Sequence, residues 1–284
     1  MTVRRPVLRY HGGKWMLAPW IIGHFPAHRI YVEPFCGAGS VLLRKPRSNA
    51  EIVNDLDDEI VNVFEVLRDP AAATRLRELC ALSPYSRTEF ERAYQPTEDP
   101  IEKARRRIVR AAMAFGTTSG KKNRTGFRAT PWRGSKKGYR HGRSNGVKDW
   151  ATWPLAIASF TERLIGVCVE RRPAIDIIRQ QDGRGVLFYC DPPYPHSTRT
   201  AIRSPSDRER AYAKDMSDDE HRELARALHQ ARGYVVLSGY SCDLYDEELY
   251  RGWRRIEREA LADGARTRTE VLWLNRACAE ALRL

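Results

Sequence analysis

The densest chemistry in the chain is Asp191-Pro192-Pro193-Tyr194. It follows Gly185-Val186-Leu187-Phe188-Tyr189-Cys190, an apolar run with strand character. Two adjacent prolines lack N–H groups and fix φ, so they neither continue a strand nor open a helix interior. The chain leaves a buried strand, turns stiffly, and presents a carboxylate, a proline carbonyl and an aromatic ring at the strand's C-terminal end. In open α/β sheets ligands bind at that end. A rigid acceptor pair beside a flat ring suits a planar, amino-bearing substrate such as a nucleobase. Taken alone, the four residues fit equally well a proline-rich turn whose Asp caps a loop.

A second constellation lies near the N-terminus. Ile30-Tyr31-Val32 reads as a short strand running into Glu33-Pro34-Phe35-Cys36-Gly37-Ala38-Gly39-Ser40 and then a helix from Val41. Strand, Gly-rich turn, helix is the nucleotide-binding arrangement of a doubly wound sheet. The spacing lacks the third glycine of the dinucleotide fingerprint, and it lacks the Gly-Lys ending of a phosphate loop. What remains is a turn lying close against an adenosine-like ligand without pyrophosphate, a description that S-adenosylmethionine fits. A tight turn with packing glycines is the competing reading. Ala50–Asn54 is the next strand, ending at Asp55. An acid about 20 residues beyond the first glycines is placed to hold ribose hydroxyls, and Asp55 takes that role. Asp57, Asp58 and Glu59 suit the first turn of a helix ending near Arg68. Upstream, Gly12-Gly13-Lys14 precedes a helix over Trp15–Ile22. Lys14 there could meet a carboxylate or phosphate, though a solvated loop lysine is the commoner outcome.

These residues need a scaffold, and composition permits one. The chain has 284 residues, 42% of them hydrophobic, enough for a large packed core. Lys plus Arg outnumber Asp plus Glu by 49 to 36, for a net charge of +13, which favours a polyanionic partner, nucleic acid first. Six scattered cysteines form no Cys-x-x-Cys pair, and no His stands at zinc-ligand spacing from them. They read as reduced thiols of a cytoplasmic protein without a metal. No apolar run approaches the roughly 18 residues of a membrane span.

From Pro70 to about Ile165 the strand pattern stops. Pro70–Leu82 is an amphipathic helix, Ser86-Arg87-Thr88-Glu89 a capping box, and Ile101–Phe115 a helix carrying Lys103, Arg105, Arg106, Arg107 and Arg110. The polar segment 116–148 contains Lys121, Lys122, Arg124, Arg128, Arg133, Lys136, Lys137, Arg140, Arg143 and Lys148, interleaved with Phe127, Trp132 and Tyr139. No acid lies between Glu102 and Asp149. Basic groups neutralise phosphates while aromatics and arginines reach bases, so this segment is expected to bind nucleic acid through Lys121, Lys122, Arg124, Arg128, Arg133, Lys136, Lys137, Tyr139 and Arg140. A flexible solvated loop is the alternative. Gly126-Phe127-Arg128 suggests a hairpin. Asp149–Leu164 is helical, with Trp150, Trp153, Leu155, Ile157 and Phe160 as core. The sheet resumes at Val167–Val169 and Gly185–Cys190, with a helix over Pro173–Gln180 between them.

Beyond Tyr194, residues 195–214 read as a lid or a nucleic-acid-facing loop. Ser217-Asp218-Asp219-Glu220 opens a helix, Tyr234–Ser238 is a strand, and Trp253–Ala260 with Glu270–Asn275 form a closing hairpin. The expected fold is α/β, a doubly wound Rossmann-like sheet with an inserted, mainly helical domain. The expected organisation is 1–69 for the first part of the sheet domain, 70–165 for the insertion, and 166–284 for its second part.

The set Tyr10-His11-Gly12-Gly13-Lys14, Glu33 to Ser40, Asn54-Asp55, Asp191 to Tyr194, Val236-Leu237-Ser238-Gly239-Tyr240 and Glu270 to Asn275 resembles the Dam-type, alpha-group DNA adenine-N6 methyltransferases in content and order. The resemblance implies S-adenosylmethionine as cofactor and double-stranded DNA, methylated at a specific site, as partner; because the reaction requires only one site, a monomer is expected. It places Tyr10 and Lys14 along the cofactor site, Tyr10 standing where the family often has Trp. It gives Glu33, Phe35, Gly37 and Gly39 to the methionine and adenosine pocket, Asp55 to the ribose, and Asp191 to both cofactor and target. It implies that the target adenine is flipped out of the duplex, that Tyr194 stacks on it, and that Asp191 and the Pro192 carbonyl accept its amino hydrogens. Cytosine-N4 methylation is the nearest alternative, and a catalytically idle DNA-binding homologue is another.

Overall fold

The computed structural model describes residues 2–10, 12–114, 126–129, 146–195, 215–262 and 266–284, with the backbone alone at 260–262 and 266–268. The chain divides into two compact units. One comprises Met1–Gly13 and Asn62–Ile165, the other Lys14–Val61 and Gly166–Leu284.

The larger unit is built on a seven-stranded sheet of order β3-β2-β1-β4-β5-β7-β6. Its strands are β1 (Ile30–Glu33), β2 (Ala50–Asn54), β3 (Val167–Glu170), β4 (Val186–Cys190), β5 (Tyr234–Tyr240), β6 (Arg254–Ala262) and β7 (Arg266–Leu274). The first five strands in that order run parallel; β7 is antiparallel to β5, and β6 to β7. The order runs outward from β1 in one direction and from β4 in the other. The reversal therefore falls between β1 and β4, where a doubly wound sheet opens a crevice beyond its carboxyl edge. Glu33 ends β1 and Asp191 follows β4, so two sequence-singled acids flank that crevice.

Strands buried on both faces need apolar residues at every position, and all five residues of β4 are buried. One face carries Val32, Phe188, Leu237 and Trp273 into a cluster with Ile177 and Ile178 of helix Ala174–Gln181, and Leu224 and Leu228 of helix Asp218–Gln230. The other face carries Tyr31 and Tyr189, whose rings lie 5.9 and 5.8 Å from Phe25. Helix Asp218–Gln230 begins with a complete capping box, Ser217 and Glu220 each bonding the other's backbone N–H. Asn275 follows β7 and caps helix Arg276–Leu282, while its side chain also bonds Val235 N and Gly233 O. The expected closing hairpin is present and longer than the sequence suggested, and the turn residues between β6 and β7 lie outside the described set.

The smaller unit is helical apart from one bridge among its described residues. The end of helix Asp58–Arg68 from Asn62 on, helices Pro70–Leu82, Arg87–Arg92, Pro100–Met113, Gly146–Thr152 and Ile157–Leu164 and the 3₁₀ turn Trp153–Ala156 lie in it. Asp69, Ser86 and Asp99 cap three of these helices. Trp150 and Trp153 anchor the packing, donating to Ser83 O at 2.7 Å and Val7 O at 3.0 Å.

Four expectations need correction. Leu155 is 78% exposed, not core; the 3₁₀ turn breaks the helical period there, burying Trp153 and Pro154 and turning Leu155 out. The helix expected from Trp15 starts only at Ala18, because Pro19 sits in its first turn and residues 15–17 form a turn before it. The hairpin at Gly126–Arg128 reduces to a single antiparallel bridge, Phe127 with Ala114. Ser86 caps the Glu89 N–H as expected, but the Glu89 carboxylate takes Arg105 at 2.5 Å instead of closing a capping box.

No helix among the described residues is long and apolar enough to cross a membrane. All six cysteines are free thiols.

Candidate active site

The turn after β1 is shaped by backbone conformation. Gly37 and Gly39 have φ of 47° and 60°, the left-handed region that glycine enters without steric cost. Gly39 N–H bonds Cys36 O at 2.7 Å, and Leu43 N–H bonds Gly39 O at 3.0 Å, so the turn passes directly into helix Ser40–Arg44. Asn54, 1% exposed, holds the turn from β2: its amide donates to Pro34 O and Arg172 O, both at 2.9 Å, and its carbonyl accepts Arg172 N–H. Asp55 receives Gly37 N–H on one oxygen and Asp57 N–H on the other, each at 2.9 Å. The residue picked for ribose binding is thus also the brace of the glycine turn. Asp57 caps the next helix by accepting Glu59 N–H. Phe35 packs partly buried against the sheet's core.

Beside the turn, Glu33 is almost fully buried. One of its oxygens accepts from Tyr31 Oη at 2.8 Å and from Leu42 N at 3.2 Å. Burial raises its carboxyl from 4.5 to about 8; the Tyr31 and Leu42 bonds oppose that, and the Asp191 charge adds to it. Burial also raises Asp55, against the bonds from the Asp57 and Gly37 backbones.

Across the switch point the Asp-Pro-Pro-Tyr stretch is locked by a polar network. Lys14 Nζ lies 3.0 Å from Asp191 Oδ1 and 3.4 Å from Glu270 Oε1. It also donates to Tyr194 Oη at 2.5 Å and sits 4.8 Å from that ring's centre. Tyr194 Oη in turn donates to Glu270 Oε1 at 2.7 Å. Ser238 of β5 donates to the Asp191 oxygen at 2.9 Å, and Tyr189 meets Ser238 at 3.0 Å. Lys14, Tyr194 and Glu270 are 5%, 5% and 2% exposed, so this lysine is not a solvated loop residue. The Tyr194 ring meets Tyr240 edge-on at 4.7 Å. Pro192 is buried, while the Asp191 side chain keeps 19% of its surface open.

Glu270, Ser238 and Tyr31 had no role in the sequence reading. For Glu270 the signal was present, an acid heading the buried run Val271–Leu274. Of the remaining candidates, Tyr10 belongs to the helical unit, its ring 5.9 Å from the buried Arg107 guanidinium. Arg128 is partly buried; its N–H bonds Met113 O, and its carbonyl accepts Tyr85 Oη. Lys121, Lys122, Arg124, Arg133, Lys136, Lys137, Tyr139 and Arg140 lie outside the described residues. Arg105, Arg107 and Arg110 of helix Pro100–Met113 are buried, and Arg105 is paired with Glu89 and Glu102. Part of the basic excess is therefore internal to the helical unit.

A glycine turn and three acids, Glu33, Asp55 and Asp191, gather at the carboxyl edge of β1, β2 and β4. The acceptor set suits a ligand that carries positive charge and ribose hydroxyls: carboxyl oxygens at Asp55 and Asp191 and the buried acid Glu33, and no glycine loop for phosphates. Residues 10–263 match the family described as D12 class N6 adenine-specific DNA methyltransferase. The chain belongs to that family, and its sheet is the Rossmann-like methyltransferase fold. It is 26% identical over 262 residues to the DNA adenine methylase of Serratia marcescens, covering 89% of this chain and 88% of that one. It is 26% identical over 210 residues to the DNA adenine methylase of Escherichia coli K12, covering 71% and 69%. It is 24% identical over 269 residues to the DNA adenine methylase of Vibrio cholerae O1, covering 89% and 87%. By family, the protein is an adenine-N6 DNA methyltransferase, acts on DNA and uses S-adenosylmethionine.

Proposed function

We propose that the protein binds S-adenosylmethionine beside the Gly37/Gly39 turn and methylates N6 of an adenine flipped out of double-stranded DNA. The observation that carries this is the convergence of Lys14, Asp191, Tyr194 and Glu270 across the sheet's switch point from the glycine turn. Glu33, Phe35, Gly37, Gly39, Asp55 and Asp191 would hold the cofactor, with Lys14 fixing Asp191; Tyr10 enters this assignment through motif resemblance alone. When bound, the cofactor supplies an electrophilic methyl group on a positively charged sulfur.

The protein's own part is positioning and charge placement. The N6 amino group is out of reach inside the stack, so the base must leave the duplex. Asp191 and the Pro192 carbonyl accept its two amino hydrogens. Two acceptors out of the ring plane favour a pyramidal nitrogen, whose lone pair then points away from the ring. As the nitrogen takes the methyl group and the methyl–sulfur bond breaks to leave a neutral thioether, the nitrogen would gain positive charge; the Asp191 carboxylate would stabilise that charge, and one amino proton would then pass to solvent. Tyr194 offers its ring to the base, with its hydroxyl already held. The helical unit built around residues 70–165 acts as the target-recognition domain. Its segment 116–148 meets DNA through Lys121, Lys122, Arg124, Arg128, Arg133, Lys136, Lys137, Tyr139 and Arg140. A monomer suffices for the reaction, and the protein works in the cytoplasm.

The test is methyl transfer from labelled S-adenosylmethionine to duplex DNA, digestion to nucleosides and identification of the modified base. N6-methyladenine is expected from the wild type, and none from Asp191→Ala, whose DNA affinity stays close to wild type. Modified cytosine, or wild-type turnover in that variant, would overturn the assignment.

A further inference from the structure

We propose that Glu270 is a positioning residue for methyl transfer, anchoring Tyr194 and sharing Lys14 so that Asp191 retains its negative charge toward the substrate amino group. This rests on the assignment of Asp191 and Tyr194 to the acceptor base.

Glu270 heads the buried half of β7, register-paired with Tyr240 on β5 and with Arg258 on β6. The groups facing it are Lys14, from the segment before helix Ala18–Ile22, and Asp191 and Tyr194, from the turn after β4. Tyr189 of β4 also senses its charge. Burial raises the Glu270 carboxyl; Lys14 opposes that rise and Asp191 reinforces it.

Lys14 is the key to the charge balance. A buried lysine paired with Asp191 alone would leave a neutral pair beside a nitrogen that is becoming positive. With Glu270 as a second carboxylate on the same ammonium, the trio of two acids and one lysine keeps a net charge of −1. In a water-poor site one fixed charge close to the reacting atoms alters the barrier strongly. The second contribution is steric. Tyr194 has its ring edge against Tyr240 and its hydroxyl on Glu270, so the ring plane is set before any base arrives. Glu270 touches neither substrate nor cofactor in this scheme; it acts through Tyr194 and Lys14.

The experiment compares the full-length wild type with Glu270→Gln, Glu270→Asp and Glu270→Ala. Four quantities are read: single-turnover methyl transfer across pH, DNA affinity, S-adenosylhomocysteine affinity by calorimetry, and fluorescence of 2-aminopurine at the target position. Gln still accepts the Tyr194 bond but cannot balance Lys14. Glu270→Gln is expected to keep cofactor and DNA affinity and the 2-aminopurine signal near wild type, with the chemical step slowed about 10- to 100-fold. That is less than the ~10²–10³ lost with a group contacting the transition state directly. The acidic limb of its rate profile should move to lower pH, because the group with the raised carboxyl is gone. Glu270→Ala also loses the Tyr194 anchor, so its 2-aminopurine signal should change as well. Glu270→Asp restores the charge and should recover more of the rate than Gln does, which keeps the charge argument testable if Glu270→Gln folds poorly. Equal rates in the Gln and Asp variants, or a wild-type rate and limb in Glu270→Gln, would overturn the inference while the wild type stays active. An inactive wild type would overturn the enzyme assignment along with it.

Discussion

Glu33→Gln separates a buried acid held neutral by its surroundings from one that is simply part of the pocket. In the fold Glu33 is 2% exposed, and one oxygen accepts from both Tyr31 and Leu42. Burial, reinforced by the Asp191 charge and opposed by those bonds and Lys45, carries it from 4.5 to about 8. Between pH 5 and pH 8 the folded protein therefore keeps a proton at Glu33 that the unfolded chain has released. Stability from this group is fully present below the unfolded value and is lost as pH rises, by up to about 1.4 kcal/mol per pH unit. The loss approaches roughly 4–5 kcal/mol near pH 8. Gln carries no titrating proton, and its carbonyl can accept the same two bonds. Thermal melts of cofactor-free protein should show the variant and wild type close together at pH 5. By pH 8 the variant should melt higher by on the order of 10 °C, at ~2–4 °C per kcal/mol for domains of this size. Binding a positively charged sulfur in this pocket should lower the Glu33 value again and release a proton. Calorimetry in buffers of different ionisation enthalpy would then detect proton release with S-adenosylmethionine, less with S-adenosylhomocysteine, and none from this position in Glu33→Gln. Parallel melting-temperature profiles for the two proteins across pH 5–8 would refute the reasoning.

Two further predictions address the glycine turn. Asp55→Asn replaces an acceptor on one of two backbone N–H groups, Gly37 or Asp57, with an amide donor; an unsatisfied N–H costs about 1–3 kcal/mol. Calorimetry should show S-adenosylhomocysteine affinity reduced at least about tenfold in this variant, and unchanged affinity would refute the double role of Asp55. Gly39→Ala puts a Cβ at φ 60°, a strain of roughly 1–2 kcal/mol; it should lower the melting temperature by a few degrees and weaken cofactor binding, and a melting curve identical to wild type would refute it.

The legible parts of this fold share a physical cause. β4 reads from sequence because a strand buried on both faces must be apolar throughout, and all five residues of Val186–Cys190 are buried. The glycine turn reads because only glycine enters the left-handed region at Gly37 and Gly39 without strain. Leu155 did not read, since apolar spacing cannot distinguish an α-helical turn from the 3₁₀ turn that rotates the side chain outward. The arginines of helix Pro100–Met113 show a different limit. Charge argues for exposure only when no counter-charge is at hand, and Glu89 and Glu102 supply one to Arg105. Glu270 shows the limit most clearly. Its position at the head of Val271–Leu274 says that an acid is buried, and a buried acid requires a partner. Nothing local says that the partners are Lys14, before β1, and Tyr194, after β4. The order β4-β5-β7, with β7 antiparallel, sets Glu270 opposite Tyr240 at the carboxyl edge from which the turn after β4 also leaves, and so the site's charge balance is a property of topology before it is a property of any motif.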